Sequence, residues 1–368
     1  MKKIVIYLTG MDRSGGKERV VANLLNQWVE TYEILLITKN SKKHFYKIPE
    51  KVKIITLDVP FTESMLNQKA NRLKRAILML FNLIMSIIML KKVLKKEQYN
   101  YLYVTTPLNS FEAFFAMREA KNKLVVSEHA YAYGYNKIYS FMKRKIYPKA
   151  YCVSVPNKMD TDIYKEWGCN AIYIPHLLTY EALEKNKLDS KIILTVGRLT
   201  ADKQHRKLIQ IWSKIKNKNG WKLWIVGDGE EKKTLEQLVQ ELEVMDTVKL
   251  LPATKEIASI YNQASIFAFA SRCEGFGMVL LEAMSFGVPC ISFDCPSGPR
   301  DVIIDGENGV LVPNNNCELF QEKLEQLITV EEDELKKLGD QAFNTVKNWD
   351  NEKIISMWDN EIFKSNVN

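Results

Sequence analysis

The sequence predicts an α/β fold: two doubly wound, Rossmann-like parallel-sheet domains facing across a cleft. Three observations predict it. Short apolar, β-branched runs alternate with helical stretches, the alternation occurs twice along 368 residues, and 46% hydrophobic content can supply two cores of ordinary size. Strands covered on both faces are apolar throughout, and strands joined through helices must run parallel. The first half offers "KIVIYL", "EILLIT", "VKIITL", "YLYVTT", "KLVVSE", "AYCVSV" and "AIYIP". The second half offers "KIILTVG", "WKLWIVG", "TVKLL", "ASIFAFA" and "VPCISF". The charged segment "HLLTYEALEKNKLDSK", residues 176–191, follows a strand-ending proline and is the expected linker. Domains are therefore expected at 1–176 and 177–368, with the last helix able to return to the first domain.

The opening "MKKIVIYLTGMD" has charge and apolar residues in signal-peptide order. Its apolar part, about five residues, is shorter than a secretory h-region, so it reads as the first strand. Six cysteines (Cys152, Cys169, Cys273, Cys290, Cys295, Cys317) form no CxxC pair, and no metal-ligand spacing joins them to the four histidines. Free thiols in a reducing cytoplasm are expected, with no structural zinc. The net charge of +8 is uneven. Residues 1–176 carry 29 Lys/Arg against 14 Asp/Glu, and residues 177–368 carry 23 against 30. A basic N-terminal half facing an acidic C-terminal half suggests an anionic partner for the former, such as a phosphate-bearing lipid, a membrane surface or a nucleic acid. Lysine-rich solvated faces are the plainer reading.

Open parallel sheets bind ligands outside the carboxyl ends of their strands, so motifs at those ends carry the chemistry. After the first strand, "GMDRSGGKERVVANLL" sets Gly15 and Gly16 before a helix. Such glycines let backbone N–H groups approach a phosphate or sugar, or simply make a tight turn. In the second half, "VGRLTADK" places Arg198 just past a strand and Lys203 near the next helix start. Together they offer an anion two cations, the guanidinium in bidentate fashion. "IVGDGE" ends another strand in a glycine turn. "EGFGMVLLE" puts Glu274 at a strand end, a helix start near Gly277, and Glu282 one i to i+4 step beyond Met278. Amides from Phe276 to Val279 would then face a ligand at the helix N-terminus. Two carboxylates beside a phosphate site suit neighbouring hydroxyls, as in a nucleotide-sugar. Read alone, Glu274 could be a helix cap and Glu282 a surface residue.

The motifs do not stand alone. "GRLTADK", "VGDGE", "EGFGMVLLEAMSFGVPCISFD" and "GENGVLV" occur in the order and spacing of the retaining glycosyltransferases of family 4, whose two-domain fold is called GT-B. The resemblance covers nearly the whole chain and is strongest from about Ile193 to Val312. It implies that Arg198 and Lys203 hold the donor diphosphate, Glu274 the donor-sugar hydroxyls and Glu282 the ribose. It further implies that "SGGKERV" is the N-terminal glycine loop and that His129 of "VVSEHAY" lies near the sugar. Base contacts would come largely from backbone near Leu250 to Pro252, Leu251 among them. Two departures are visible: Lys203 precedes "QHRK" where the family usually has glycine or asparagine next, and "IPHL" stands for the common "IPNP". "DCPSGPRDVI" resembles members that build lipid-linked oligosaccharides and surface polysaccharides. On that likeness the donor is expected to be a UDP-linked hexose or N-acetylhexosamine, and the acceptor a glycan or polyprenyl-diphosphate-linked oligosaccharide. No cofactor or metal is expected, because two cations and a helix end face the leaving group.

Residues 76–90 contain only Asn82 and Ser86 as polar residues, between basic clusters that include Arg72, Arg75, Lys91 and Lys92. Fifteen residues fall short of the roughly 20 that span a bilayer. The helix is then either buried, as all-round apolar helices usually are, or seated at a membrane interface with its cations near anionic headgroups or an acceptor pyrophosphate. Cys273, beside Glu274, reads as a packing residue rather than a nucleophile. A nucleotide-sugar 2-epimerase would also suit two such domains, and the basic half taken alone would suit a non-enzymatic membrane- or nucleic-acid-binding protein.

Overall fold

A computed structural model describes residues 1–13, 15–60, 72–180 and 185–364, the side chain of Arg72 excepted. The chain divides into two compact units, residues 1–177 together with the segment from 352 onward, and residues 178–351.

In the first unit, seven strands form one sheet: β1 (Lys3–Leu8), β2 (Glu33–Thr38), β3 (Lys53–Thr56), β4 (Tyr101–Val104), β5 (Leu124–Ser127), β6 (Cys152–Val155) and β7 (Ala171–Tyr173). Their order is β3-β2-β1-β4-β5-β6-β7 and every pairing is parallel. The apolar runs account for this, since Ile4 to Leu8 are wholly buried and only a sheet covered on both faces can use such strands. Helices return the chain between strands, and three start on side-chain caps that satisfy otherwise unpaired amides. Thr106 accepts from Asn109, Asn136 from Tyr139 and Asn157 from Asp160.

The segment from 352 joins this unit through its aromatics. Trp28 packs edge-on against Trp358 and Phe363, with ring centroids 5.2 and 5.1 Å away, and Tyr101 Oη donates to the Phe363 carbonyl at 2.9 Å. Lys2 Nζ donates to that carbonyl at 2.7 Å.

The second unit holds β8 (Ile192–Val196), β9 (Lys222–Val226), β10 (Val248–Leu251), β11 (Ile266–Phe269), β12 (Cys290–Asp294) and β13 (Gly309–Pro313). The order is β10-β9-β8-β11-β12-β13, again all parallel. Strand β13 has no counterpart among the strands expected from sequence, because "GVLVP" opens on glycine and closes on proline. His176 and Leu177 of the expected linker belong to the first unit, and from Leu178 onward it is anchored on this one where it is described. Asn186 donates to the Ala264 carbonyl at 2.6 Å and Leu188 is buried, while residues 181–184 lie outside the described residues.

The apolar stretch 76–90 sits in a 23-residue helix, Arg72–Leu94. Of its two sequence readings, burial does not hold: only 17% of its most apolar window is buried. Composition alone cannot tell a buried helix from one that keeps its apolar face in solvent.

Candidate active site

Each sheet reverses its winding once, between β1 and β4 in the first unit and between β8 and β11 in the second. Loops leaving the two strands at such a point pass to opposite faces, which opens the carboxyl edge between them.

In the second unit the β8 loop runs through Arg198 into a single turn, Ala201–Lys203, and the helix His205–Lys214. The β11 loop runs through Glu274 into the helix Met278–Met284. Two contacts knit these loops. The Arg272 amide donates to the Asp202 carbonyl at 2.8 Å, and Lys203 Nζ donates to Glu274 Oε1 at 2.5 Å. Burial alone would lower the Lys203 ammonium, but the Glu274 carboxylate outweighs it and holds the group above its ordinary value. Lys203 is therefore a standing cation at neutral pH. Arg198 is exposed, and its charge bears on both Lys203 and Asp202. Asp202, which burial would raise, is held below the usual carboxylate range by the Thr200 hydroxyl and by Lys203. Sequence reading missed Asp202, whose carbonyl and carboxylate both organise the β8 loop.

The Glu274 loop needs glycine at two places. Gly277 adopts φ +89° as the residue that starts the Met278–Met284 helix. Gly298, φ +96°, lies so close to the Phe276 backbone that a Cβ would come within 2.4 Å of its carbonyl oxygen. The loop after β12 thus buttresses the Glu274 loop, and the Glu274 amide donates to the Pro296 carbonyl at 3.2 Å. Ser297 in that loop, also unforeseen, takes φ +66° and buries an Oγ that has no hydrogen-bond partner. Strain of this kind collects at working sites.

The remaining expected donor residues divide. Met278 and Val279 are half-buried in the first helical turn. Phe276 is buried, its ring 5.7 Å from that of Trp349, so only its backbone can face a ligand. Leu251 ends β10, and its carbonyl accepts the Gly227 amide at 3.0 Å. Glu282 differs from Glu274 in setting: it is 1% exposed, and its Oε2 accepts from Tyr261 Oη at 2.9 Å. Glu282 is thus buried where Glu274 is half-buried. Tyr261, 21 residues upstream, is the partner that spacing could not reveal. Burial, then the Glu274 charge, raises the Cys273 thiol above its ordinary value, which disfavours a thiolate nucleophile.

In the first unit, Gly15 precedes the helix Gly16–Trp28, and Gly16 is exposed with open space beside it. A Cβ on Gly15 would meet Glu18 Oε2 at 2.2 Å, so this glycine makes room for a buried acid in the first turn. Glu18 pairs with Lys17 at 3.2 Å, so this first turn carries an acid and a cation together. His129, after β5, stacks on His176 with centroids 5.1 Å apart, and its Nε2 is buried without a partner. Burial, then the Lys17 charge, pushes this imidazole down to about 3, so it is neutral at pH 7. Beneath it, buried Glu128 gathers the His129 amide, the hydroxyls of Tyr135, Tyr147 and Tyr164, and Lys143 Nζ at 3.2 Å. This network fixes the His129 loop, and its members are too dispersed in sequence to be read as a unit. Arg75, Lys91 and Lys92 are exposed on the Arg72–Leu94 helix, away from these groups in sequence; the side chain of Arg72 lies outside what is described. Among the described residues, no three His, Cys, Asp or Glu side chains gather as a metal site.

Two parallel α/β units with this charged switch point define the GT-B class of architecture. The solved S. aureus TarM, in a crystal structure that holds UDP, matches 98% of this chain and 99% of its own with a TM-score of 0.79 at 17% identity. The glycosyl transferases group 1 family matches residues 180–345. An Erwinia amylovora protein, amylovoran biosynthesis glycosyltransferase AmsD, is 27% identical over 97% of this chain and 99% of its own. A Campylobacter jejuni N-acetylgalactosamine-N,N'-diacetylbacillosaminyl-diphospho-undecaprenol 4-alpha-N-acetylgalactosaminyltransferase is 30% identical over 92% of both chains. The chain belongs to the group 1 glycosyltransferases.

Proposed function

We propose that this glycosyltransferase is a retaining, metal-independent enzyme of family 4. It moves a hexose or N-acetylhexosamine from a UDP-sugar to a glycan or polyprenyl-diphosphate-linked oligosaccharide, in the cytoplasm, during surface polysaccharide synthesis. The observation that carries this reading is the meeting of Arg198, Lys203 and Glu274 at the second sheet's switch point. The UDP in TarM and the lipid-linked and polysaccharide substrates named for the Campylobacter and Erwinia relatives support the donor and acceptor classes.

The chemistry follows from the charges. As the anomeric C–O bond breaks, its electron pair passes to the departing diphosphate, which Arg198 and Lys203 stabilise. The acceptor hydroxyl oxygen forms the new bond on the same face, and its proton passes to the leaving phosphate oxygen. Lys203 is already charged and held by Glu274, so no metal is needed to neutralise the leaving group. Glu274 turns its remaining acceptor capacity to a sugar hydroxyl, and Glu282, oriented by Tyr261, takes the ribose. Neutral His129 offers Nε2 as a hydrogen-bonding group rather than as a proton acceptor. The product formed from UDP-hexose or UDP-N-acetylhexosamine with a polyprenyl-diphosphate-linked acceptor should keep the donor's anomeric configuration by NMR, with undiminished turnover in EDTA. Inverted product, or free epimer without acceptor dependence, would refute the proposal.

A further inference from the structure

The Arg72–Leu94 helix keeps an apolar face in solvent. Helical spacing of three and four puts Ile77, Leu80, Ile84, Ile88, Lys91 and Lys95 on one side. That side faces solvent: Ile77 is 60% exposed, Leu80 58%, Ile84 48% and Ile88 42%. The opposite side holds Ser86, Leu90 and Leu94, all buried, and the helix packs on Pro107–Ala116 through its C-terminal half. The helix is thus docked by one face while the other keeps its large side chains in water. Contiguous exposed apolar surface of this kind marks a binding face.

Charge identifies the occupant. Lys91, Lys92, Lys95 and Lys96 follow the stripe at one end and Lys74 stands at the other, all exposed. Lys91 and Lys95 also line a cavity of about 540 Å³ with Arg118 and Lys123, at the chain segments that lead into β4 and β5. The acids there are engaged: Glu97 pairs with Lys3 and Lys53, and Glu119 with Lys123. An apolar stripe bounded by cations, with a basic hollow at its end, complements acyl chains and phosphate headgroups. A second copy of the chain is a poor fit, because either orientation of two such helices opposes lysine to lysine. The helix is long and apolar enough to cross a membrane. Both of its ends nevertheless lead into strands of one sheet, β3 before it and β4 after it, and its inner face is part of that unit's core. A crossing would pull it off the sheet.

We propose that the outward face of the Arg72–Leu94 helix docks the enzyme on an anionic phospholipid bilayer, lying in the plane of the interface, with Lys91, Lys95 and Arg118 receiving lipid phosphates. Strands β3 and β4 run parallel in one sheet, so the chain between them, this helix included, returns from the carboxyl edge, where the Gly15 and His129 loops also lie, to the amino edge. Docking would hold the carboxyl edge near lipid-borne acceptors, a consequence that rests on the function proposed above; the docking itself does not.

The test is flotation of the full chain with vesicles of phosphatidylcholine alone or mixed with phosphatidylglycerol. Wild type should float with the mixed vesicles only, less so as salt rises. Lys91→Gln with Lys95→Gln should weaken binding about fivefold per lysine. Leu80→Gln with Ile84→Gln should weaken it at least tenfold. The far-UV circular dichroism spectrum and the melting temperature without ligand serve as folding controls for each variant, and the surface lysine pair carries the test if the apolar pair melts early. Wild type that stays unbound at low salt, or variants that float equally well, would overturn the proposal. So would a wild-type dimer in light scattering that Leu80→Gln with Ile84→Gln dissolves.

Discussion

Arg198 reaches solvent from the β8 loop, so its removal should cost chemistry more than folding. Arg198→Ala forfeits a charge-assisted interaction of about 1.5–3 kcal/mol, roughly ten- to a hundredfold in turnover with a nucleotide-sugar. Unchanged turnover would remove it from the site. His129 makes a different claim. An imidazole pushed down to about 3 does not titrate between pH 5 and 8, so the rate profile should show no limb that disappears in His129→Gln. Arg198 stood out in the sequence because charge at a strand end has few structural uses, whereas His129 was named through the family resemblance alone. Asp202, Ser297 and Tyr261 were not legible, because each acts through a backbone angle or a partner that spacing does not encode.

Elements were legible wherever a run was apolar from end to end, which is why twelve strands could be expected from their residues and β13, which opens on glycine and closes on proline, could not. The Arg72–Leu94 helix shows the opposite failure: its existence followed from composition, its exposure did not. A local cost lies in the turn after Lys203. Gln204 is held at φ +53°, where its Cβ is crowded, and its Oε1 is buried without a partner. The glycine or asparagine that the resemblance leads one to expect at this place would meet that angle with less crowding. Gln204→Gly should therefore raise stability by about 1 kcal/mol, read as a higher melting temperature. A lower one would mean that the Gln204 side chain contributes packing worth more than its strain.

At the scale of the molecule, the return of the C-terminal segment to the first unit was open in the sequence, since Trp358 and Phe363 sit in a charged stretch with no pattern naming their core. Phe363 is wholly buried, so Phe363→Ala should cost about 3–5 kcal/mol, with faster hydrogen exchange in β1 and β4 first. Exchange that quickens in β8 and β11 instead would contradict this division. Acid should destabilise the fold. His129 at about 3, His205 at about 4 and His176 well below its ordinary value all stay neutral when folded, each chiefly through burial. Unfolded histidines take up protons near pH 6.5, so stability present above that pH is lost as pH falls toward the folded values. Each group contributes up to about 1.4 kcal/mol per pH unit. A melting temperature that is level from pH 7 to 4.5 would show that these rings are not buried as described.

In the proposed reaction Lys203, kept charged by Glu274, grips the diphosphate of a sugar nucleotide. Calorimetric titration of UDP into wild type and into Lys203→Met tests it most directly. Saturable binding in wild type that weakens at least tenfold in a folded Lys203→Met is the predicted result. Equal affinity in the two proteins would contradict it.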